Sequence, residues 1–193
     1  AKLNQRERES AIRECQVLKS LDHHHITKLF DVFLYNGCLC MVMEYANKGD
    51  LSRYILQRGI NLFSEEEILY IFVQIVLGLK YIHDKNIIHR DIKPQNIFVT
   101  SDNYVKIGDF NVSKQLQTHQ AITTTMAGTI SYLSPEILSG RGYGIQTDIF
   151  SLGCVLYELC SLRKAFVCFS QEDYLRQINR RNYGEIPNRY SND

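Results

Sequence analysis

The sequence lacks an excess of charge of either sign. Its 22 Lys and Arg stand against 21 Asp and Glu, for a formal net charge of +1. Nucleic acids and anionic membrane surfaces select a basic surplus, so neither is an expected partner. No apolar run is long enough to cross a bilayer, and no signal-peptide core is present. With 45% hydrophobic residues, a soluble globular chain with a real core is expected, in the cytoplasm or nucleus. The six cysteines (15, 38, 40, 154, 160 and 168) form no CxxC pair and no Cys/His ligand spacing. Buried thiols in a reducing compartment are expected, rather than disulfides or zinc ligands. No internal repeat and no low-complexity tract is visible.

The elements follow from pattern. Residues 5–20, rich in Glu and Arg with Ala11, Cys15 and Leu18 on one side, predict a helix. Residues 28–34 and 39–45 read as strands around the turn Tyr35-Asn36-Gly37. The composition changes at Asn47-Lys48-Gly49, and a short helix is expected over 50–57. Ser64-Glu65-Glu66-Glu67 is a capping box. It opens a long helix with Ile68, Phe72, Ile75, Leu79 and Ile82 as the core-facing stripe, ending near His83. Residues 146–161 are mostly apolar and predict a buried helix, and 171–180 a further amphipathic one.

Residues 87–111 carry the chemistry. Ile97-Phe98-Val99 and Tyr104-Val105-Lys106-Ile107 have strand composition, and Thr100-Ser101-Asp102-Asn103 has turn composition. A hairpin with a four-residue loop is expected, with Val99 opposite Tyr104 and Ile97 opposite Lys106. Its open end would bring Asn96 close to Asp109, an amide oxygen beside a carboxylate, which suits Mg²⁺. Asp91 and Lys93 precede them by a few residues. One acid to take a hydroxyl proton, two groups to hold metal and one cation to offset phosphate charge are the needs of phosphoryl transfer.

His89-Arg90-Asp91-Ile92-Lys93-Pro94-Gln95-Asn96 resembles the protein-kinase catalytic loop, H-R-D-x-x-x-x-N, with Lys93-Pro94 as in the serine/threonine branch. Asp109-Phe110-Asn111 stands where the family has Asp-Phe-Gly, and Ser134-Pro135-Glu136 where it has Ala-Pro-Glu. Asp148 and Gly153 resemble the start of the family's central large-lobe helix. Arg6-Glu7-Arg8-Glu9, Glu14-Cys15-Gln16-Val17-Leu18, Val42-Met43-Glu44-Tyr45, Gly49-Asp50-Leu51, Gln95-Asn96-Ile97-Phe98 and Tyr132-Leu133-Ser134-Pro135-Glu136 are similar to the NIMA-related (Nek) kinases.

The resemblance implies an α+β, protein-kinase-like two-lobe fold, mostly the helical large lobe. Residues 1–45 would be a partial small lobe, with helix C and two strands, and 46–193 a partial large lobe. It implies a serine/threonine kinase with ATP and Mg²⁺ as cofactors and proteins as substrates, cytoplasmic, with the cytoskeleton or nucleus as alternatives. Asp91 would be the base and Lys93 the charge-neutralising cation; Asn96 and Asp109 would bind Mg²⁺. Met43 would close the back of the adenine pocket, and Glu44, Tyr45 and Ala46 would form the hinge. His89 and Phe110 would stack in the core beside Leu18 and Leu29. Glu14 would pair with the third-strand lysine, and Glu136 with an arginine beyond the stretch. His23-His24-His25 would be the turn after helix C rather than a metal site. Arg90 would receive a phosphate on Thr125, while Thr129 would hydrogen-bond near Asp91 and Lys93.

The stretch begins without Met, without a glycine-rich loop and without the third-strand lysine, so it is expected to be truncated at both ends and inactive on its own. Two departures bear on function. Asn111 replaces glycine, and Ile130-Ser131 replaces Pro-Tyr, in the site that reads the residue after the phosphoacceptor. A pseudokinase or scaffold module is the alternative to an active enzyme, and a truncated partner-binding product is a third reading. The oligomeric state is left open.

Overall fold

The computed structural model describes residues 12, 15, 16, 18–36, 38–110, 130–140, 142, 144–168 and 170–191. In chain order they form strands β1 (Leu29–Tyr35) and β2 (Cys38–Met43), helices α1 (Leu51–Gln57) and α2 (Glu65–Asp84), and a 3₁₀ turn at Pro94–Asn96. Strands β3 (Ile97–Val99) and β4 (Val105–Ile107) follow, then helices α3 (Pro135–Leu138), α4 (Gln146–Ser161) and α5 (Gln171–Asn179). Helical residues at 12, 15, 16, 18 and 19 are the described part of the first expected helix.

Helix α2 starts where the capping box placed it. The Ser64 hydroxyl accepts the Glu67 N–H, and the Glu67 carboxylate accepts the Ser64 N–H. Two of the donors that a helix start leaves open are thereby satisfied. Ile68, Ile75, Leu79 and Ile82 are buried as the stripe requires, joined by Ile71, Gln74 and Gly78, while Phe72 is only half-buried. Helix α4 buries Leu152, Val155 and Leu159 beside them. It is not buried all round as its composition suggested: Ile149 is 53% exposed.

Gly78 marks the closest approach in this core. A Cβ there would sit 2.6 Å from the His25 carbonyl oxygen and 3.2 Å from the Ile107 side chain. That carbonyl is fixed, because it accepts the Ile107 N–H at 2.9 Å. Gly78→Ala is therefore expected to destabilise the domain by about 1–3 kcal/mol, although alanine favours helix more than glycine does. Denaturant unfolding of the two proteins checks this.

The β3–β4 hairpin corrects the expected register. Ile97 pairs with Ile107, Phe98 with Lys106 and Val99 with Val105, so Tyr104 lies opposite Thr100 rather than Val99. The Thr100 N–H donates to the Tyr104 carbonyl and the Asn103 N–H to the Thr100 carbonyl. Asn103, at φ +62°, takes the left-handed conformation that ends a three-residue loop. Burial decides the matter. The observed register puts Ile97, Val99, Val105 and Ile107 on one buried side, whereas the one-residue slip would oppose Ile97 and Lys106.

Both edges of this hairpin are occupied. The Val99 N–H donates to the Gly49 carbonyl, and the Val99 carbonyl accepts the Lys48 N–H. On the β4 side, the Val105 N–H donates to the buried Gln74 amide oxygen, the Val105 carbonyl meets the His25 ring, and Ile107 exchanges bonds with His25 and Thr27.

The β1–β2 pair packs Leu29 on Cys15 in a small second cluster that includes Leu18, Val32 and Leu39. Tyr35 belongs to the strand and pairs with Cys38, one residue beyond the expected boundary. Cys15, Cys154, Cys160 and Cys168 are buried as expected, but Cys38 is exposed and Cys40 half-exposed, since both lie on a strand with only one covered face. In the His23–His25 run, the His23 ring stacks on Tyr81 at 4.7 Å.

Candidate active site

A 3₁₀ turn and a capped hairpin leave three functional side chains on one short path. Pro94 opens the turn, and Asn96 ends it directly before β3. Asp91 and Asn96 are 4% and 3% exposed. The Asn96 amide nitrogen donates to the Asp91 carbonyl at 2.8 Å and to its carboxylate Oδ2 at 3.0 Å. The Lys93 ammonium reaches the same Oδ2 at 2.7 Å. With its nitrogen committed, Asn96 keeps its amide oxygen as an acceptor. The Gly108 N–H donates to the Asn96 carbonyl at 2.9 Å, which sets Asp109 one residue from Asn96's backbone partner. Asp109 is exposed and takes φ +52°.

Asp148 fixes the loop from beneath. It is fully buried at the start of α4. Its Oδ2 accepts the His89 N–H at 2.9 Å and meets the His83 ring nitrogen at 2.8 Å, while Oδ1 accepts the Arg90 N–H at 2.8 Å. Arg90 stands at φ +68°, a left-handed conformation that costs a non-glycine residue about 1–2 kcal/mol. A charge-assisted bond to its own N–H and another to the preceding N–H hold it there. Sequence reading placed Asp148 at a helix start and missed this role. The signal was a carboxylate in a mostly apolar helix.

His89 is buried and uses both ring nitrogens. Nδ1 accepts the Asp91 N–H at 3.3 Å, so Nε2 carries the proton and donates to the Gly108 carbonyl at 3.1 Å. Its ring lies 4.8 Å from Phe110, in line with the expected stack. Burial pushes its pKa below the ordinary histidine value. The folded state then binds fewer protons than the unfolded state once pH drops through about 6.5, so this contribution to stability is present above that pH and lost below it. Denaturant unfolding between pH 7.5 and 5.5 is expected to show the loss, with a shallower slope in His89→Asn.

Of the expected nucleotide-binding residues at 43–46, Met43 lies with Asp109, whereas Glu44 and Tyr45 line a separate surface pocket beside Lys106. Met43 shares a small cavity with Leu18, Leu29, Gly108, Asp109 and Phe110, which puts the expected gatekeeper beside the Asp-Phe pair. Tyr45 is 85% exposed. The Glu44 side chain turns away from the cleft to Lys106, at 3.0 Å. Glu136 accepts the Thr147 hydroxyl at 3.1 Å. Glu14, Asn111, Thr125 and Thr129 lie outside the described residues.

The donors present fit a magnesium ion. Asn96 offers an amide oxygen and Asp109 a carboxylate, both hard ligands. Among the described residues no cluster of three or more His, Cys, Asp or Glu could hold a metal, so a cation here would draw further ligands from phosphate oxygens and water.

Comparison with known proteins identifies the family. A family model described as "Protein kinase domain" matches residues 1–191. The chain is 44% identical over 97% of its length to "Probable serine/threonine-protein kinase nek3" of Dictyostelium discoideum. It is 40% identical over 100% of its length to mouse "Serine/threonine-protein kinase Nek1", and 44% identical over 97% to human "Serine/threonine-protein kinase Nek5". It spans only 17%, 16% and 27% of the length of these three relatives. The match over residues 1–191 shows that the chain belongs to the protein kinase domain family, and it resembles the Nek serine/threonine members.

Proposed function

We propose that the protein carrying this domain transfers the γ-phosphoryl group of ATP to serine and threonine hydroxyls of protein substrates. The observation that carries the reading is the bonded cluster of Asp91, Lys93 and Asn96, with Asp109 beside it. Asp91 accepts the proton of the substrate hydroxyl as its oxygen forms the new bond to phosphorus and the bond to ADP breaks. Lys93 holds Asp91 in place and offsets charge on the moving group. Asn96 and Asp109 would hold Mg²⁺, which supplies charge neutralisation at the ATP phosphates. Glu44, Tyr45 and Ala46 receive the adenine, with Met43 behind it.

A pseudokinase is not favoured, because Asp91, Asn96 and Asp109 are all present and the first two are already positioned.

Phosphate transfer by the full-length protein to a generic protein substrate is the test. Transfer is expected to need Mg²⁺, to label Ser and Thr, and to fall at least tenfold in Asp109→Asn at fixed Mg²⁺, as expected when a charged ligand of the cation is lost (about 1.4 kcal/mol or more). Transfer that is independent of Mg²⁺, or unchanged in Asp109→Asn, overturns the assignment.

A further inference from the structure

The hinge makes a hydrogen bond that regular strand pairing would not make. Lys28 and Glu44 stand just beyond the Leu29–Met43 pair that ends the β1–β2 ladder. The Glu44 N–H donates to the Lys28 carbonyl at 2.8 Å. In a regular bonded pair the Lys28 N–H would return to the Glu44 carbonyl. It goes instead to the Glu44 carboxylate, Oε2, at 3.2 Å. The other carboxylate oxygen, Oε1, is held by the Lys106 ammonium of β4 at 3.0 Å. The two side chains are 15% and 29% exposed, which shields the pair more than a surface bridge. Among the described residues no backbone N–H donates to the Glu44 carbonyl.

We propose that Lys106 is a nucleotide-positioning residue: it holds the Glu44 carboxylate on the Lys28 N–H and so keeps the Glu44 carbonyl open to the amino group of adenine. The inference rests on the ATP reading above. Lys106 is not among the residues that line the cavity shared by Met43, Gly108, Asp109 and Phe110, and its contact is with the Glu44 carboxylate, so it would act through the hinge alone. Without its charge, the carboxylate moves out to water and the Lys28 N–H turns to the nearest acceptor, the Glu44 carbonyl. The adenine amino group then loses its partner. The 6-oxo group of guanine is itself an acceptor and never used that carbonyl, so guanine nucleotides lose nothing. Lys106 thereby contributes to the choice between the two purines.

The experiment uses the full-length protein as wild type, Lys106→Met and Lys106→Arg. KM for ATP and kcat are measured, and ADP and GDP binding are measured by calorimetry. Lys106→Met is expected to raise KM for ATP and Kd for ADP about five- to tenfold, one ordinary hydrogen bond's worth, with kcat at saturating ATP and Kd for GDP unchanged. Lys106→Arg, which keeps the charge, is expected to restore the wild-type values. ADP and GDP weakened equally, neither weakened, or kcat lowered at constant KM would each overturn the proposal. Should Lys106→Met fail to fold, Glu44→Ala gives the second reading, with the same adenine-selective loss expected and a loss shared by GDP overturning it. A wild type that binds ADP but transfers no phosphoryl group overturns the kinase reading and leaves this inference standing. A wild type that binds no ADP overturns both.

Discussion

Asp91→Asn is expected to lower kcat by about 10²–10⁴ while leaving KM for ATP within the range of the wild type. The asparagine keeps the size of the side chain and an oxygen for Lys93 and Asn96, which lie 2.7 Å and 3.0 Å from Oδ2. What it removes is the ability to accept a proton, because a neutral amide is not a base at any working pH. The nucleotide contacts proposed above involve the hinge and Asp109 rather than the Asp91 carboxylate, so binding is expected to survive. Steady-state kinetics with a protein substrate measures both quantities. Equal kcat in the two proteins would remove Asp91 from the proton-transfer role, and a parallel rise in KM would mean that the loop had shifted rather than lost its base.

Asp148→Ala is expected to destabilise the domain by about 3–5 kcal/mol and to lower its melting temperature by about 10 °C. Three donors lose their acceptor at once: the His89 N–H, the Arg90 N–H and the His83 ring. Asp148 is 0% exposed, so water cannot replace it without opening the core. Arg90 also loses what holds it at φ +68°. Asp148→Asn should do little better, because an amide NH₂ facing one of these N–H groups is a donor against a donor. Thermal unfolding and kcat measured together are the check. A stable Asp148→Ala protein with normal turnover would show that the loop holds its shape without this carboxylate.

Much of the site was legible because its residues are close in sequence. Asp91, Lys93 and Asn96 fall within six positions, and a 3₁₀ turn with Pro94 at its start is enough to bring them together. The capping box at Ser64 and Glu67 was legible for the same reason, since both of its bonds are local. The hairpin register was not, because it turns on Asn103 adopting a left-handed backbone, which shortens the loop from four residues to three and draws Thr100 into the pairing. Asp148 acts on residues 58 and 59 positions away, and Gln74 on one 31 positions away. Pattern along the chain carries no information on such pairings until the helices are packed. Glu44 was read as a hinge residue for its backbone, and nothing local shows that its side chain meets Lys106.

The closed edges of the β3–β4 hairpin have a consequence for how the chain meets other chains. A strand with unpaired N–H and C=O groups along one side is a template for adding a foreign strand, and short two-stranded sheets are poorly protected against it. Here the outward groups of Val99, Val105 and Ile107 are taken by a loop, a helix side chain and a turn, none of which is a strand. The segment is therefore no seed for intermolecular β-pairing while the fold stands, even though Ile97-Phe98-Val99 is strongly β-forming. Loss of the Gln74 amide would expose the Val105 N–H first. The hazard of such a change is self-association of the domain, directly beside its candidate catalytic residues.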